Sequence, residues 1–118
     1  MPRIRDVYGA NAVSPLPQRL VTELLGSLLL SGVVIGSGIM ALRLSVGNDA
    51  IALLGNTGAT AAILFVLITA LGPISGAHLN PAVTLVMVLR RELGAGVGVS
   101  YILAQIIGCL AGAVLAHA

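Results

Sequence analysis

The chain has 118 residues, of which 58% are hydrophobic and 8% charged. A soluble domain carries about 25% charged residues, so this chain cannot cover itself with polar surface in water, and its solvent is lipid. A net charge of +2, from six arginines and no lysine, is too small and scattered for a nucleic-acid surface. The mean hydropathy of +1.08 agrees with a membrane protein. The lone Cys109 can form no internal disulfide and leaves the redox compartment unread.

In chain order, residues 1–19 are polar and contain Pro2, Pro15 and Pro17; they read as a cytoplasmic segment and not as a cleavable leader, because the apolar stretch that follows is too long. Three apolar segments then predict transmembrane helices at about 20–42, 50–71 and 94–116, each long enough for the ~20 residues a span requires. A short polar turn with Ser45, Gly47, Asn48 and Asp49 joins the first two. Between the second and third lies the unusual stretch, 72–92. It opens with Gly72 and Pro73, which predict a helix break. Asn80 is a good helix cap and Pro81 a favoured first helical residue, so a short helix is predicted over 80–89. Ten residues rise about 15 Å, half a bilayer, which predicts a re-entrant half-helix starting near the midplane. The expected fold class is therefore an all-α membrane protein with three transmembrane helices and one re-entrant half-helix.

Irregular backbone at membrane depth is tolerated only where it lines water or is buried in protein. Carbonyls of Gly76, Ala77 and His78 facing a cavity would form a ladder of acceptors for a hydrogen-bonding solute. The half-helix N-terminus adds roughly half a positive charge, which repels cations. Asn80 supplies a side-chain donor at the same point. The arrangement favours neutral, hydrogen-bonding permeants. With the N-terminus cytoplasmic, Arg3, Arg5, Arg19, Arg90 and Arg91 lie inside and only Arg43 outside.

The run Ser75-Gly76-Ala77-His78-Leu79-Asn80-Pro81-Ala82-Val83-Thr84 resembles the first signature loop of the major intrinsic protein family, the aquaporins and aquaglyceroporins. Glu23 with Gly26 resembles the family's first-helix pattern, and Tyr101, Gln105 and Gly108 its third. The resemblance covers nearly the whole chain and implies that 20–118 is the first of two inverted repeats. It implies a channel in the cell (inner) membrane for small neutral solutes, with Asn80, Pro81 and Ala82 at the pore, no cofactor and no metal. It also implies tetrameric assembly with one pore per protomer. The second repeat, with its own Asn-Pro-Ala and filter arginine, is absent from these residues. A count of twenty residues back from Asn80 puts Thr60 at the position where water-selective members carry a bulky aromatic. Residues 53–57 and 72–74 resemble bacterial members associated with arsenic resistance. Together these lean towards glycerol or undissociated arsenite over strict water selectivity.

Blander readings stand beside these. Asn80 and Pro81 also fit an ordinary helix cap, and Ala82 close packing. Glu23 reads as a proton relay or as a structural acceptor for loop backbone, the second favoured by the resemblance. Gln105 reads as a loop-holding amide. His78 is either a pH gate or a buried hydrogen-bonding residue. Gly32/Gly36, Gly94/Gly98 and Gly108/Gly112 are small-xxx-small pairs that read as packing. Arg90 and Arg91 read as an anchor for the half-helix, and Cys109 as an inert thiol in preference to a mercurial target. No nucleophile–base pair, metal cluster or phosphate loop supports an enzyme. The competing function is a non-conducting fragment or assembly subunit that needs a second half. The uncapped apolar end at 114–118 reads as a truncated gene or a chain stopped after the third helix. A separate polypeptide is the more plausible source of the missing half, because the arginine bias argues against an antiparallel homodimer.

Overall fold

The computed structural model describes residues 14–118 as four helices: α1 Leu16–Leu44, α2 Asp49–Ser75, α3 Pro81–Leu89 and α4 Ala95–His117. Most of the predicted N-terminal segment, including Arg3 and Arg5, lies outside the described residues. Helices α1, α2 and α4 each hold an 18-residue stretch with a mean hydropathy of 2.0, 2.1 and 2.0 respectively, and are long and apolar enough to cross a membrane. At 1.5 Å per residue they rise about 43, 40 and 34 Å, against about 13 Å for α3.

Two helix boundaries differ from the sequence expectation, and both involve proline. Helix α1 begins at Leu16, not near residue 20, because Pro17 sits in the first turn, where a missing N–H costs nothing. Helix α2 runs through Gly72 and Pro73 to Ser75. Pro73 lacks the N–H that would continue the helix ladder and crowds the carbonyl four residues before it, yet it does not end the helix. The break falls at Gly76, which adopts a left-handed φ of 90° and returns its N–H to the Gly72 carbonyl at 2.8 Å. Ser75, the last helical residue, is fixed by Tyr101, whose hydroxyl donates to the Ser75 carbonyl at 2.9 Å.

Helix α3 ends in a Schellman arrangement. Arg91 donates its N–H to the Val88 carbonyl and Glu92 to that of Met87, both at 3.0 Å. Arg91 takes the left-handed position, with φ 59°, that glycine usually fills.

Helix α1 packs against both α2 and α4, and α3 packs against α4. The interior is the reverse of a soluble protein's. Glu23, Ser27, Ser75, Thr84, Tyr101 and Gln105 are the largest fully buried side chains among the described residues. Large apolar side chains such as Leu54, Phe65, Leu89 and Val114 are at least 70% exposed. Small residues permit the close approach of α1 and α4. A Cβ on Gly108 would run into the Leu24 carbonyl, and one on Gly112 into Ser31 and the Leu28 carbonyl. Ser31 Oγ adds a hydrogen bond to the Cys109 carbonyl at 2.8 Å. Gly98 makes room for Val88 of α3, whereas Gly94 meets no neighbour and only precedes α4. The 94/98 spacing is therefore not a packing pair. Between α1 and α2, Asn56 Nδ2 donates to the Val34 carbonyl at 2.9 Å.

These contacts define the path of the segment between α2 and α4. Ser75 meets Tyr101, which also receives Arg19 Nε from the first turn of α1 at 2.9 Å. Leu79 lies deeper, against Gly26 and Ser27 towards the middle of α1. Val88 is back beside Gly98, in the first turn of α4. The segment thus enters and leaves on the side where α1 begins, and α3 spans only half the depth.

The α1–α4 seam generates a test. Gly108→Ala puts a methyl group against rigid backbone and is expected to cost about 1–3 kcal/mol, the usual penalty of overpacking. Gly96→Ala, where nothing lies within 4 Å, should leave stability unchanged or higher. Unfolding midpoints in detergent, followed by helical circular dichroism, compare the two.

Candidate functional site

The turn between α2 and α3, residues 76–80, has an unusual backbone. Gly76, Ala77 and Leu79 have φ of 90°, 49° and 57°. For Ala and Leu the left-handed region costs about 1–2 kcal/mol each, so surrounding structure must impose it.

Glu23 does most of this. One carboxylate oxygen accepts the His78 N–H and the other the Leu79 N–H, both at 2.9 Å. Ser27 Oγ donates to the Leu79 carbonyl at 3.4 Å, and Ser75 Oγ accepts the Ala77 N–H at 3.2 Å. Arg19, Glu23 and Ser27 follow one another at four-residue intervals, so α1 presents them as one stripe. Tyr101 and Gln105 do the same on α4. Gln105 Nε2 lies 3.5 Å from a Glu23 oxygen and donates to Thr84 Oγ1 at 2.9 Å. Thr84 Oγ1 is also 3.0 Å from His78 Nδ1. The His78 and Tyr101 rings meet tilted, with centroids 5.1 Å apart, and the Arg19 guanidinium lies 5.4 Å over the Tyr101 ring.

The clamp uses the N–H groups of Ala77, His78 and Leu79 but leaves three carbonyls alone. No described residue donates to the carbonyl oxygens of Gly76, Ala77 or His78. Asn80 caps α3, accepting the Ala82 N–H on Oδ1 at 2.8 Å, with Pro81 as the first helical residue. Its Nδ2 donates to no described residue, and the side chain is exposed. Ala82 is exposed as well.

The structure therefore brings Glu23, Gln105, Gly76, Ala77, His78 and Asn80 into one constellation, and it leaves Thr60 elsewhere. Thr60 stands about 22 Å along α2 from Ser75 at 1.5 Å per residue. Its hydroxyl is screened from the surface and has no hydrogen-bond partner among the described residues. The sequence reading missed Ser27, Thr84 and the Arg19–Tyr101 contact. The four-residue spacing of polar side chains within apolar helices was the available signal for the first and the last.

Three apolar helices long enough to cross a membrane, with a clamped re-entrant turn and a capped half-helix, define an all-α multi-pass membrane protein. A family model described as major intrinsic protein matches residues 12–118, and the chain belongs to that family. Aquaglyceroporin AqpS of Rhizobium meliloti (strain 1021) is 53% identical over 102 residues, covering 86% of this chain and 43% of the relative. The lens fiber major intrinsic protein of Gallus gallus is 38% identical over 94 residues, covering 80% and 34%. The probable aquaporin PIP2-8 of Oryza sativa subsp. japonica is 37% identical over 98 residues, covering 83% and 35%. The chain thus spans less than half the length of these curated relatives.

Glu23→Gln tests the clamp. An amide offers one acceptor oxygen, so its NH₂ would confront a buried backbone N–H. Loss of a charge-assisted hydrogen bond with an orphaned donor should cost about 2–3 kcal/mol. Thr60→Val, which removes an unpartnered hydroxyl, should leave stability unchanged or raise it. Parallel chemical unfolding of both variants in detergent checks this; equal losses would contradict it.

Proposed function

We propose that this chain forms one half of a membrane channel for small neutral solutes: water, glycerol and undissociated metalloid acids. The observation that carries the proposal is the loop's asymmetry. Its amides are held by Glu23 and Ser75, while the carbonyls of Gly76, Ala77 and His78 and the Asn80 Nδ2 have no partner among the described residues. A row of acceptors and one donor beside a helix N-terminus suits a solute that exchanges hydrogen bonds as it moves and carries no charge. Membership of a family of channels supports this over any enzymatic role.

In this proposal Asn80, Pro81 and Ala82 stand at the pore centre, and Gly76, Ala77 and His78 line the approach. Thr60 stands at the constriction, where a small side chain admits solutes larger than water. The similarity to a relative named as an aquaglyceroporin supports the wider permeant range. The N-terminus is cytoplasmic and the membrane is the cell (inner) membrane, on the arginine bias. A second aquaporin-like half completes the pore, and complete pores assemble as tetramers. A second reading, a non-conducting fragment or assembly subunit, is favoured by the chain's coverage of only 43% of the Rhizobium aquaglyceroporin.

The test joins this chain to the uncovered remainder of the Rhizobium protein and reconstitutes the product in liposomes. Swelling in water and glycerol gradients is followed by light scattering. Both solutes should cross faster than through empty liposomes. Asn80→Asp retains a capping oxygen but exchanges the donor for a negative charge. It should slow glycerol about tenfold or more, equivalent to ~1.4 kcal/mol of added barrier. No swelling from an inserted, folded product would favour the second reading. Equal swelling from the chain alone would show that its copies complete the pore together.

A further inference from the structure

Hydrogen-bond direction can be followed from Glu23 to a part of the molecule that the pore reading leaves unused. The Glu23 carboxylate fixes the Gln105 amide, because an amide oxygen would be repelled where Nε2 now faces it at 3.5 Å. The same Nε2 donates to Thr84 Oγ1 at 2.9 Å. Thr84 accepts from Gln105, and its own proton needs an acceptor, of which His78 Nδ1, at 3.0 Å, is the one within reach among the described residues. An uncharged imidazole that accepts on Nδ1 carries its proton on Nε2. The tautomer follows from the network as a whole.

No described residue accepts that Nε2 proton, although His78 is only 6% exposed. The residue instead lines a small cavity of about 10 Å³ together with Arg19, Ser75, Met87, Glu92 and Leu93. One water needs about 10–15 Å³ of such space and two to four polar partners. The size excludes larger ligands, and four of the six lining residues are polar or charged.

We propose that this cavity is a binding site for a single resident water molecule. The water accepts from His78 Nε2–H and from the Arg19 guanidinium, and gives its two protons to oxygens of Glu92 and Ser75. It joins three parts of the chain: the first turn of α1, the loop 76–80, and the turn after α3. Each of its neighbours is otherwise anchored. Arg19 is bonded to Tyr101, Ser75 ends α2, and Glu92 closes the α3 cap. The site does not depend on whether the chain conducts.

The experiment uses the full chain with ¹⁵N-labelled histidine in detergent micelles. Nitrogen shifts report the His78 tautomer, and water-selective rotating-frame transfer reports contact between His78 Hε2 and water. The expected result is a proton on Nε2 and a cross-peak of the sign given by dipolar contact, not by exchange. Leu93→Phe fills the cavity and should abolish the cross-peak while leaving the tautomer unchanged. Glu92→Gln retains an acceptor oxygen and should keep it. A proton on Nδ1, an Hε2 that exchanges too fast to observe, or an Hε2 without a water cross-peak would each overturn the proposal in the unmodified chain, whatever the fate of the variants. So would a cross-peak that persists in folded Leu93→Phe.

Discussion

Backbone polar groups cannot be left without partners at membrane depth, and the fold is arranged around the one place where a regular helix does not supply them. Residues 76–80 turn the chain back within the span, through two non-glycine residues with left-handed φ. What makes that path tenable is the buried Glu23 carboxylate, which takes two successive N–H groups. A carboxylate suits this role because both of its oxygens accept and neither donates. Gln105 and Thr84 then pass the constraint on to His78, so the clamp holds the loop from both sides.

The same requirement explains why the interior is polar. In lipid, apolar surface gains little by leaving the solvent, so the helices associate through close packing and hydrogen bonds. Gly108 and Gly112 let α4 lie against the backbone of α1, close enough for Ser31 to reach the Cys109 carbonyl. That proximity also lets Gln105 approach Glu23. Packing and site geometry are therefore coupled: an α4 held further off would release the amide that orients Thr84.

A clamp that satisfies donors and leaves acceptors open gives the loop a polarity of its own. Free carbonyls attract hydrogen-bond donors, while the positive end of α3 disfavours cations at the same place. In the channel proposed here, the two effects together would favour neutral solutes. The chain spans less than half of its relatives' length, so the exposed apolar faces answer to lipid, to a second half, or to both.

The number of long apolar helices and the Asn80–Pro81 start of the half-helix were legible in the amino-acid sequence, because membrane span length and helix capping are local properties. So was the presence of Glu23 and Gln105 as polar residues in apolar spans. Where α2 ends was not legible. Gly72 and Pro73 carry the local breaking signal, yet Gly76 ends the helix, with Ser75 held by Tyr101 from a distant part of the chain. Nor did the spacing 94/98 reveal that only Gly98 packs. The backbone N–H groups that Glu23 accepts lie 55 and 56 residues away. Local pattern told which residues were costly to bury; only tertiary structure decided which groups repaid that cost, because those hydrogen bonds exist only once α1, the loop and α4 share one interior.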